Sequence, residues 1–185
     1  NIQCFPLGEI AANCYLVTDE ITKQALVIDP GVPSDELSEA LLGFELKYIL
    51  LTHGHFDHIY GSASLKDLYP GAKICIHKAD EKCLNDPEWN LVGDYSGNLP
   101  EIKADVLLND GDELEFADTA FKVLHTPGHS LGSVCFVDEK NKIIFSGDTL
   151  FCLTVGRTDF IGGSFEDMMD SVKKLSLFAD EFTVY

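Results

Sequence analysis

The segment Thr52-His53-Gly54-His55-Phe56-Asp57-His58 concentrates three of the six histidines of this chain within six residues. It follows a predicted strand over 47–51 and leads into a predicted helix over 57–69. Side chains two apart on an extended segment point the same way, so His53 and His55 face one point. Asp57 and His58 lie where the chain turns into the predicted helix, so their side chains can reach a second position next to the first. The spacing predicts two adjacent metal positions, and imidazole and carboxylate ligands suit zinc, iron or manganese.

Two later segments each carry one strong metal ligand on a turn of small residues. Thr126-Pro127-Gly128-His129-Ser130 follows a predicted strand over 120–124, and Ser146-Gly147-Asp148-Thr149 follows one over 142–145. Binding sites are often built on loops at strand ends, which a rigid sheet holds in place. His129 and Asp148 are therefore candidates to complete the centre.

The order of predicted elements indicates an α/β fold of two packed sheets with helices outside, in one domain over 1–185. Strands are predicted over 13–18, 24–29 and 73–76, and a strand-rich half starts at residue 106. Ser34 and Ser164 are predicted helix N-caps. Phe165, Met168, Met169, Val172 and Leu175 form an apolar stripe that we expect in the core. The stretch 84–105 is predicted to be a long irregular loop, and 181–185 an inner strand.

Taken together, the three motifs resemble the metallo-β-lactamase superfamily in their order and spacing. Further matches are Asn13-Cys14-Tyr15, Ile28-Asp29-Pro30-Gly31 and Gly156-Arg157-Thr158-Asp159-Phe160. The last motif, followed by Gly162-Gly163-Ser164, resembles the glyoxalase II branch (hydroxyacylglutathione hydrolases) in its short single-domain bacterial form. The resemblance implies an αββα sandwich of two mixed sheets with helices on the outer faces.

The same resemblance implies a ligand set for two divalent ions, with zinc favoured and iron or manganese as alternatives. His53, His55 and His129 would hold the first ion, Asp57 and His58 the second, and Asp148 would bridge them. The family places a further histidine in a Pro-Gly-His-Gly loop after the last strand, whereas this sequence ends at Tyr185. We therefore expect the natural chain to continue and to supply a histidine within about five residues, a usual length for a short connection.

The implied reaction is hydrolysis of a thioester such as S-lactoylglutathione by a metal-bound hydroxide, with Asp57 holding the hydroxide's proton. A thiolate leaves without much acid assistance, because thiol pKa values lie near about 8.5. Long glyoxalase II enzymes contact glutathione through a helical C-terminal domain, and no segment of this sequence matches that domain, so the resemblance implies the thioester and not glutathione in particular. Arg157 is either an anchor for a substrate carboxylate or half of an internal ion pair, with Asp159 or a metal-ligand carboxylate as its partner, and the pair is the favoured interpretation.

Three alternatives stay open at this point. A persulfide dioxygenase would hold one iron through His53, His129 and Asp148, and it shares the Gly-Arg-Thr-Asp-Phe motif. A true β-lactamase would need export, and no export signal is visible. A metal-binding scaffold without catalysis would contain metal but turn over no ester or thioester.

Charge and composition narrow the class of partner. The chain has 185 residues with 13 Lys plus Arg and 31 Asp plus Glu, which gives a formal net charge of −18. Such a balance disfavours nucleic acid and anionic membrane surfaces, both of which select basic patches. The apolar runs are too short for a transmembrane helix. We expect a cytoplasmic enzyme with a small-molecule thioester substrate, and the sequence leaves its oligomeric state open.

Overall fold

The computed structural model describes residues 1–94, 99–178 and 181–185, and all structural statements concern those residues. Two β-sheets pack face to face with helices on both outer sides. The strands are β1 (Ile2–Leu7), β2 (Ala12–Thr18), β3 (Gln24–Ile28), β4 (Glu45–Leu50), β5 (Lys73–His77), β6 (Val106–Leu108), β7 (Glu113–Phe116), β8 (Thr119–His125), β9 (Val134–Asp138), β10 (Ile143–Phe145), β11 (Leu150–Phe151), β12 (Thr154–Val155) and β13 (Thr183–Val184). The α-helices are α1 (Asp35–Ala40), α2 (Phe56–Ile59), α3 (Ser62–Leu68) and α4 (Phe165–Ser176), with short 3-10 helices at Lys78–Leu84 and Val92–Asp94.

Both large sheets are mixed, as predicted. The six-stranded sheet runs in the order β1 to β6, antiparallel from β1 to β3 and parallel from β3 to β6. The five-stranded sheet has the order β13-β10-β9-β8-β7 and is antiparallel except where β13 joins β10. Strands β3, β4, β8 and β10 end in the loops that carry the candidate site residues.

Side-chain alternation along the strands builds three apolar layers. In β2, Cys14 and Leu16 face the helices α1 to α3, whereas Tyr15 and Val17 face the second sheet. In β9, Val134 and Phe136 pack between the sheets, whereas Cys135 and Val137 pack against α4. Because each sheet is apolar on both faces, each needs a cover on its outer side. The result is the predicted αββα sandwich.

The helix predicted over 57–69 is wrong as a single element, because it breaks between α2 and α3. The Gly61 N–H donates to the Pro30 carbonyl oxygen at 2.7 Å instead of continuing a regular helix. A Cβ at this position would lie 2.7 Å from the carbonyl oxygens of Pro30 and Val32. Close backbone contact between this turn and the loop after β3 therefore sets the break, and local propensity did not indicate it.

Three other expectations need adjustment. Strand β13 is an edge strand of the described sheet and not an inner one, since it pairs on one side with β10 alone. In the α4 stripe, Met168 and Leu175 are buried, but Phe165 is 65% exposed and Met169 is 39% exposed. The irregular stretch 84–105 includes a short helical turn at Val92–Asp94, and its residues 95–98 lie outside the described part.

No helix in the described part of the chain combines the length and the apolar character that a membrane crossing would require.

Candidate metal centre

Four histidines meet at one end of the sandwich, and all four are buried. His53, His55 and His58 leave the end of β4 together, and His129 arrives on the loop after β8. Ring centroids lie 4.6 Å apart for His53 and His55, 4.7 Å for His53 and His129, and 4.6 Å for His55 and His129. One nitrogen from each of these three residues falls within 4.8 Å of the others, which is the spacing of a shared metal.

Hydrogen bonds to the far side of each ring determine which nitrogen faces the centre. The Thr52 hydroxyl donates to Asp29 Oδ2 at 2.6 Å, so it accepts from His53 Nδ1–H at 3.1 Å. His129 Nδ1–H donates to the Arg157 carbonyl oxygen at 2.8 Å. Both Nε2 atoms therefore carry their lone pairs toward the centre, which is the state a metal requires.

Asp148 stands between the two predicted metal positions. Its Oδ1 lies 3.4 Å from His58 Nε2, and its Oδ2 lies 3.4 Å from His129 Nε2. Asp57 Oδ2 is 3.6 Å from the same His58 nitrogen. The carboxylate thus faces the three-histidine group with one oxygen and the Asp57–His58 pair with the other.

The electrostatics of the centre favour metal ligation. Burial and the neighbouring histidines hold the pKa of His53 well below its ordinary 6.5, and the same causes lower the pKa of His55 to about 3. Burial disfavours charge on His58, but Asp29 and Asp148 hold its pKa well above 6.5. Burial alone would raise the pKa of Asp148, yet His58 above all, with His129 and His55, keeps it below its ordinary value. His53 and His55 are therefore neutral and Asp148 is ionised, which are the protonation states that bind a divalent cation, whereas His58 must release its proton when it becomes a ligand.

The residues present fit such a cation on a further observation. Among the described residues, His53 Nε2 is a buried ring nitrogen that faces the centre and has no hydrogen-bond partner. Buried polar atoms are normally satisfied, and an orphan in a native site calls for a missing partner. His55 Nδ1 also lies 2.8 Å from His129 Nε2, so these two nitrogens face the same point.

Sequence reasoning missed Asp29 as a site residue. Its carboxylate accepts from the Thr52 N–H at 2.7 Å, from the Thr52 hydroxyl and from His58 Nδ1–H at 2.9 Å. Its position directly after β3, in Ile28-Asp29-Pro30-Gly31, was the available signal. Asp29 orients His58 so that Nε2 faces Asp57 and Asp148.

The geometry around Arg157 contains the predicted ion pair. Its guanidinium holds Asp159 through two contacts of 2.7 Å and lies over the Phe160 ring, 3.9 Å from the centroid. This pairing lowers the pKa of Asp159 to about 2. Phe160 in turn packs against His55 at 5.6 Å between centroids. The role of Arg157 toward a substrate stays a prediction.

The remaining two histidines do not join the three-histidine group. His77 and His125 stack on each other with ring centroids 4.1 Å apart. His77 Nδ1 accepts from the Ala79 N–H at 3.4 Å, and His125 Nε2 lies 2.9 Å from the Leu131 carbonyl oxygen. Both residues therefore make structural contacts away from the metal centre.

Comparison with known proteins places this chain in one superfamily. The sequence profile of the metallo-β-lactamase superfamily matches residues 7–184, so the chain belongs to that superfamily. Hydroxyacylglutathione hydrolase GloC of Haemophilus influenzae is 34% identical over 94% of this chain and 82% of its own.

Solved structures agree with this assignment. The crystal structure of the B3 metallo-β-lactamase BLEG-1 superposes with a TM-score of 0.91 at 33% identity, covering 100% of this chain and 90% of that one. A di-iron-bound form of TTHA1623 superposes with a TM-score of 0.87 at 31% identity, covering 99% of this chain and 90% of that one. The superfamily assignment is shown by these matches, whereas the relatives carry different activity names.

Proposed function

We propose that this member of the superfamily is a metal-dependent thioester hydrolase. His53, His55 and His129 would hold one divalent ion, Asp57 and His58 a second, and Asp148 would serve both. The observation that carries the proposal is the position of Asp148, whose two oxygens face His58 and His129 at the same distance of 3.4 Å. A carboxylate so placed can join two adjacent cations in a single centre.

Zinc is the first candidate metal, and iron and manganese are the alternatives. Four imidazoles with carboxylates suit all three ions, so the donor set does not select one. When bound, such ions lower the pKa of a coordinated water and polarise a carbonyl oxygen, and both effects promote hydrolysis.

Asp57 is the side chain that would accept or orient a proton during hydrolysis. Burial, followed by the charge of Asp148, raises the pKa of Asp57, while His58 opposes the rise. A carboxylate of raised pKa is the better proton acceptor. Asp57 Oδ2 would therefore take or orient the proton of the attacking water at the edge of the centre.

The adjoining cavity supports a leaving group that departs without a strong acid. It has a volume of about 790 Å³ and opens beside Asp57, His58 and Asp148. None of the described residues that line it is a lysine or an arginine, and Ile10, Leu150 and Phe151 make one side apolar. Burial raises the pKa of Tyr15, also on the wall, to about 12. A thiolate can leave into a cavity without a strong proton donor, because the pKa of a thiol is only about 8.5.

Turnover of matched substrates by the metal-loaded protein tests the proposal. S-lactoylglutathione, a neutral thioester and the oxygen ester with the same acyl group are compared, with the Asp148→Asn variant as control. We expect the thioesters to react faster than the oxygen ester, and the variant to lose activity on both. Equal rates on thioester and oxygen ester would argue against the leaving-group reasoning.

β-Lactam hydrolysis is the second candidate, because BLEG-1, a B3 metallo-β-lactamase, superposes so closely. Faster turnover of a chromogenic cephalosporin than of any thioester would establish it instead. Oxygen uptake with glutathione persulfide in the iron-loaded protein would indicate the dioxygenase. Metal binding without turnover of any of these substrates would indicate a scaffold.

A further inference from the structure

A buried aspartate outside the proposed ligand set connects the two loops that carry the three-histidine group. Asp80 lies in the 3-10 helix Lys78–Leu84, directly after β5, and only 1% of its surface is exposed. Its Oδ2 accepts from the Gly54 N–H at 3.1 Å and from the Ser130 hydroxyl at 2.6 Å. Its Oδ1 accepts from the Gly132 N–H at 2.6 Å.

These donors are neighbours of the proposed ligands along the chain. Gly54 stands between His53 and His55, and Ser130 follows His129 directly. One carboxylate therefore holds the loop after β4 and the loop after β8 at a fixed separation, although His55 and His129 are 74 residues apart in the chain.

Close packing around Asp80 leaves no room for a side chain at Gly54 or Gly132. A Cβ on Gly54 would lie 2.3 Å from Cys83 Cβ, and a Cβ on Gly132 would lie 2.7 Å from the Asp80 carboxyl carbon. Both loops thus approach the 3-10 helix by their backbones. This closeness allows N–H groups, rather than long side chains, to reach the carboxylate.

We propose that Asp80 is a positioning residue that sets the geometry of the three-histidine metal site without binding the metal. The inference rests on the metal centre of the proposed function. Thr52 and the Arg157 carbonyl orient the His53 and His129 rings, whereas Asp80 holds together the two loops that carry them. Asp80 fixes the two loops before a cation arrives, so less ordering is needed on binding.

The chain offers a matched control in Asp138, which is also buried. Its carboxylate accepts from the Thr119 hydroxyl at 2.7 Å, the Asn141 side-chain amide at 2.7 Å and the Lys140 N–H at 3.1 Å. It lies at the end of β9, where these hydrogen bonds involve no residue of the two ligand loops. Asp138→Asn and Asp80→Asn therefore make the same chemical change in two buried hydrogen-bonded sites.

The experiment measures zinc affinity by chelator competition and the visible absorption of the cobalt-loaded protein. We expect both variants to lower the melting temperature without metal. Asp80→Asn alone should weaken zinc binding, by about tenfold or more, as is common when a group that orients metal ligands is lost. It should also alter the cobalt spectrum. Native zinc affinity in Asp80→Asn, or equal weakening in Asp138→Asn, would overturn the inference.

Ser130→Ala keeps the inference testable if Asp80→Asn does not fold. It removes the hydroxyl that donates to Asp80 and that also contacts the Ser133 hydroxyl at 2.7 Å, and we expect a smaller loss of zinc affinity with a shifted cobalt spectrum. An unchanged affinity and spectrum in Ser130→Ala would count against Asp80. If the native protein binds zinc tightly but hydrolyses no thioester, the proposed function fails and the inference is still tested by affinity. If it hydrolyses thioesters and Asp80→Asn binds zinc normally, only the inference fails.

Discussion

At the scale of single residues, the metal centre depends on the groups that hydrogen-bond to the histidine rings on the side away from the centre. The spacing of His53, His55 and His58 predicted a metal centre. The tautomer of His53 depends on Thr52, and the orientation of His58 depends on Asp29. These partners come from side chains that the metal motif does not specify, so they become visible only when the strands are assembled.

The three-histidine group makes a direct prediction for His55→Ala. Because His55 provides one of three converging nitrogens, we expect the variant to lose at least one metal equivalent and the thermal stabilisation that metal binding gives. Elemental analysis and thermal melts with and without metal would measure this. Full metal content and full activity would show that the ligand assignment is wrong.

Gly156 makes a second prediction at this scale. A Cβ there would lie 1.9 Å from the Asp148 carbonyl oxygen. Gly156→Ala must therefore displace the loop that carries Asp148, at a cost of about 1–3 kcal/mol in the free energy of unfolding, as for other overpacked sites.

Gly71→Ala is the control for Gly156→Ala, because a Cβ at Gly71 meets nothing within 4 Å. Denaturant unfolding and metal affinity are measured for both. We expect only Gly156→Ala to lose both stability and metal. Equal behaviour of the two variants would contradict the role of close packing at the Asp148 loop.

At the scale of elements, α4 supports the loop that delivers His129. The Ser164 N–H donates to the Gly128 carbonyl oxygen at 2.9 Å, and the Ser171 hydroxyl donates to the Pro127 carbonyl oxygen at 2.7 Å. The apolar stripe predicted this helix. It did not predict that this helix would pack on a ligand loop, where Met168 is buried while Phe165 and Met169 stay exposed.

Removal of the N-cap of α4 tests this support. The Ser164 hydroxyl accepts from the Asp167 N–H at 3.2 Å. We expect Ser164→Ala to lower the free energy of unfolding by about 1 kcal/mol, a usual cost for a lost cap. Ser176→Ala, which removes an exposed hydroxyl at the other end of the helix, should change it by less than about 0.5 kcal/mol. Denaturant titrations that gave equal losses would contradict the capping role.

At the scale of the whole molecule, the two proposed metal positions are unequal. The first position has three buried imidazoles plus Asp148, whereas the second has Asp57, His58 and Asp148. We expect metal to bind the protein of residues 1–185 in two steps, the tighter at the three-histidine group. Calorimetric titration with zinc would separate the steps. Two equally tight equivalents would show that the second position has been misjudged.

Buried histidines also determine how the metal-free protein responds to acid. Burial, followed by the charge of His125, lowers the pKa of His77 from 6.5 to about 4. Between these values the unfolded chain binds a proton at His77 that the folded chain does not, so the contribution of His77 to stability is complete above about pH 6.5 and declines toward about pH 4.

We therefore expect His77→Asn, which keeps an acceptor for the Ala79 N–H, to reduce this decline. The measurement is the free energy of unfolding of metal-free native and variant proteins between about pH 7 and pH 4. The difference between the two proteins isolates His77 from His53 and His55, which titrate in both. Parallel curves would show that His77 does not contribute to the acid sensitivity.

The sequence by itself determined the fold class, most strand positions, the metal motif and the loops of His129 and Asp148. These features are local, because side-chain alternation, helix caps and ligand spacing are determined by residues that are close together in the sequence. The tertiary structure alone decided the break at Gly61, the edge position of β13, and the roles of Asp29 and Asp80. Each of these depends on contacts between segments distant in sequence: Gly61 with Pro30, β13 with β10, Asp29 with His58, and Asp80 with Ser130. The role of a buried carboxylate depends on the hydrogen-bond donors around it. Those donors can be identified only when the loops are seen together in the folded structure.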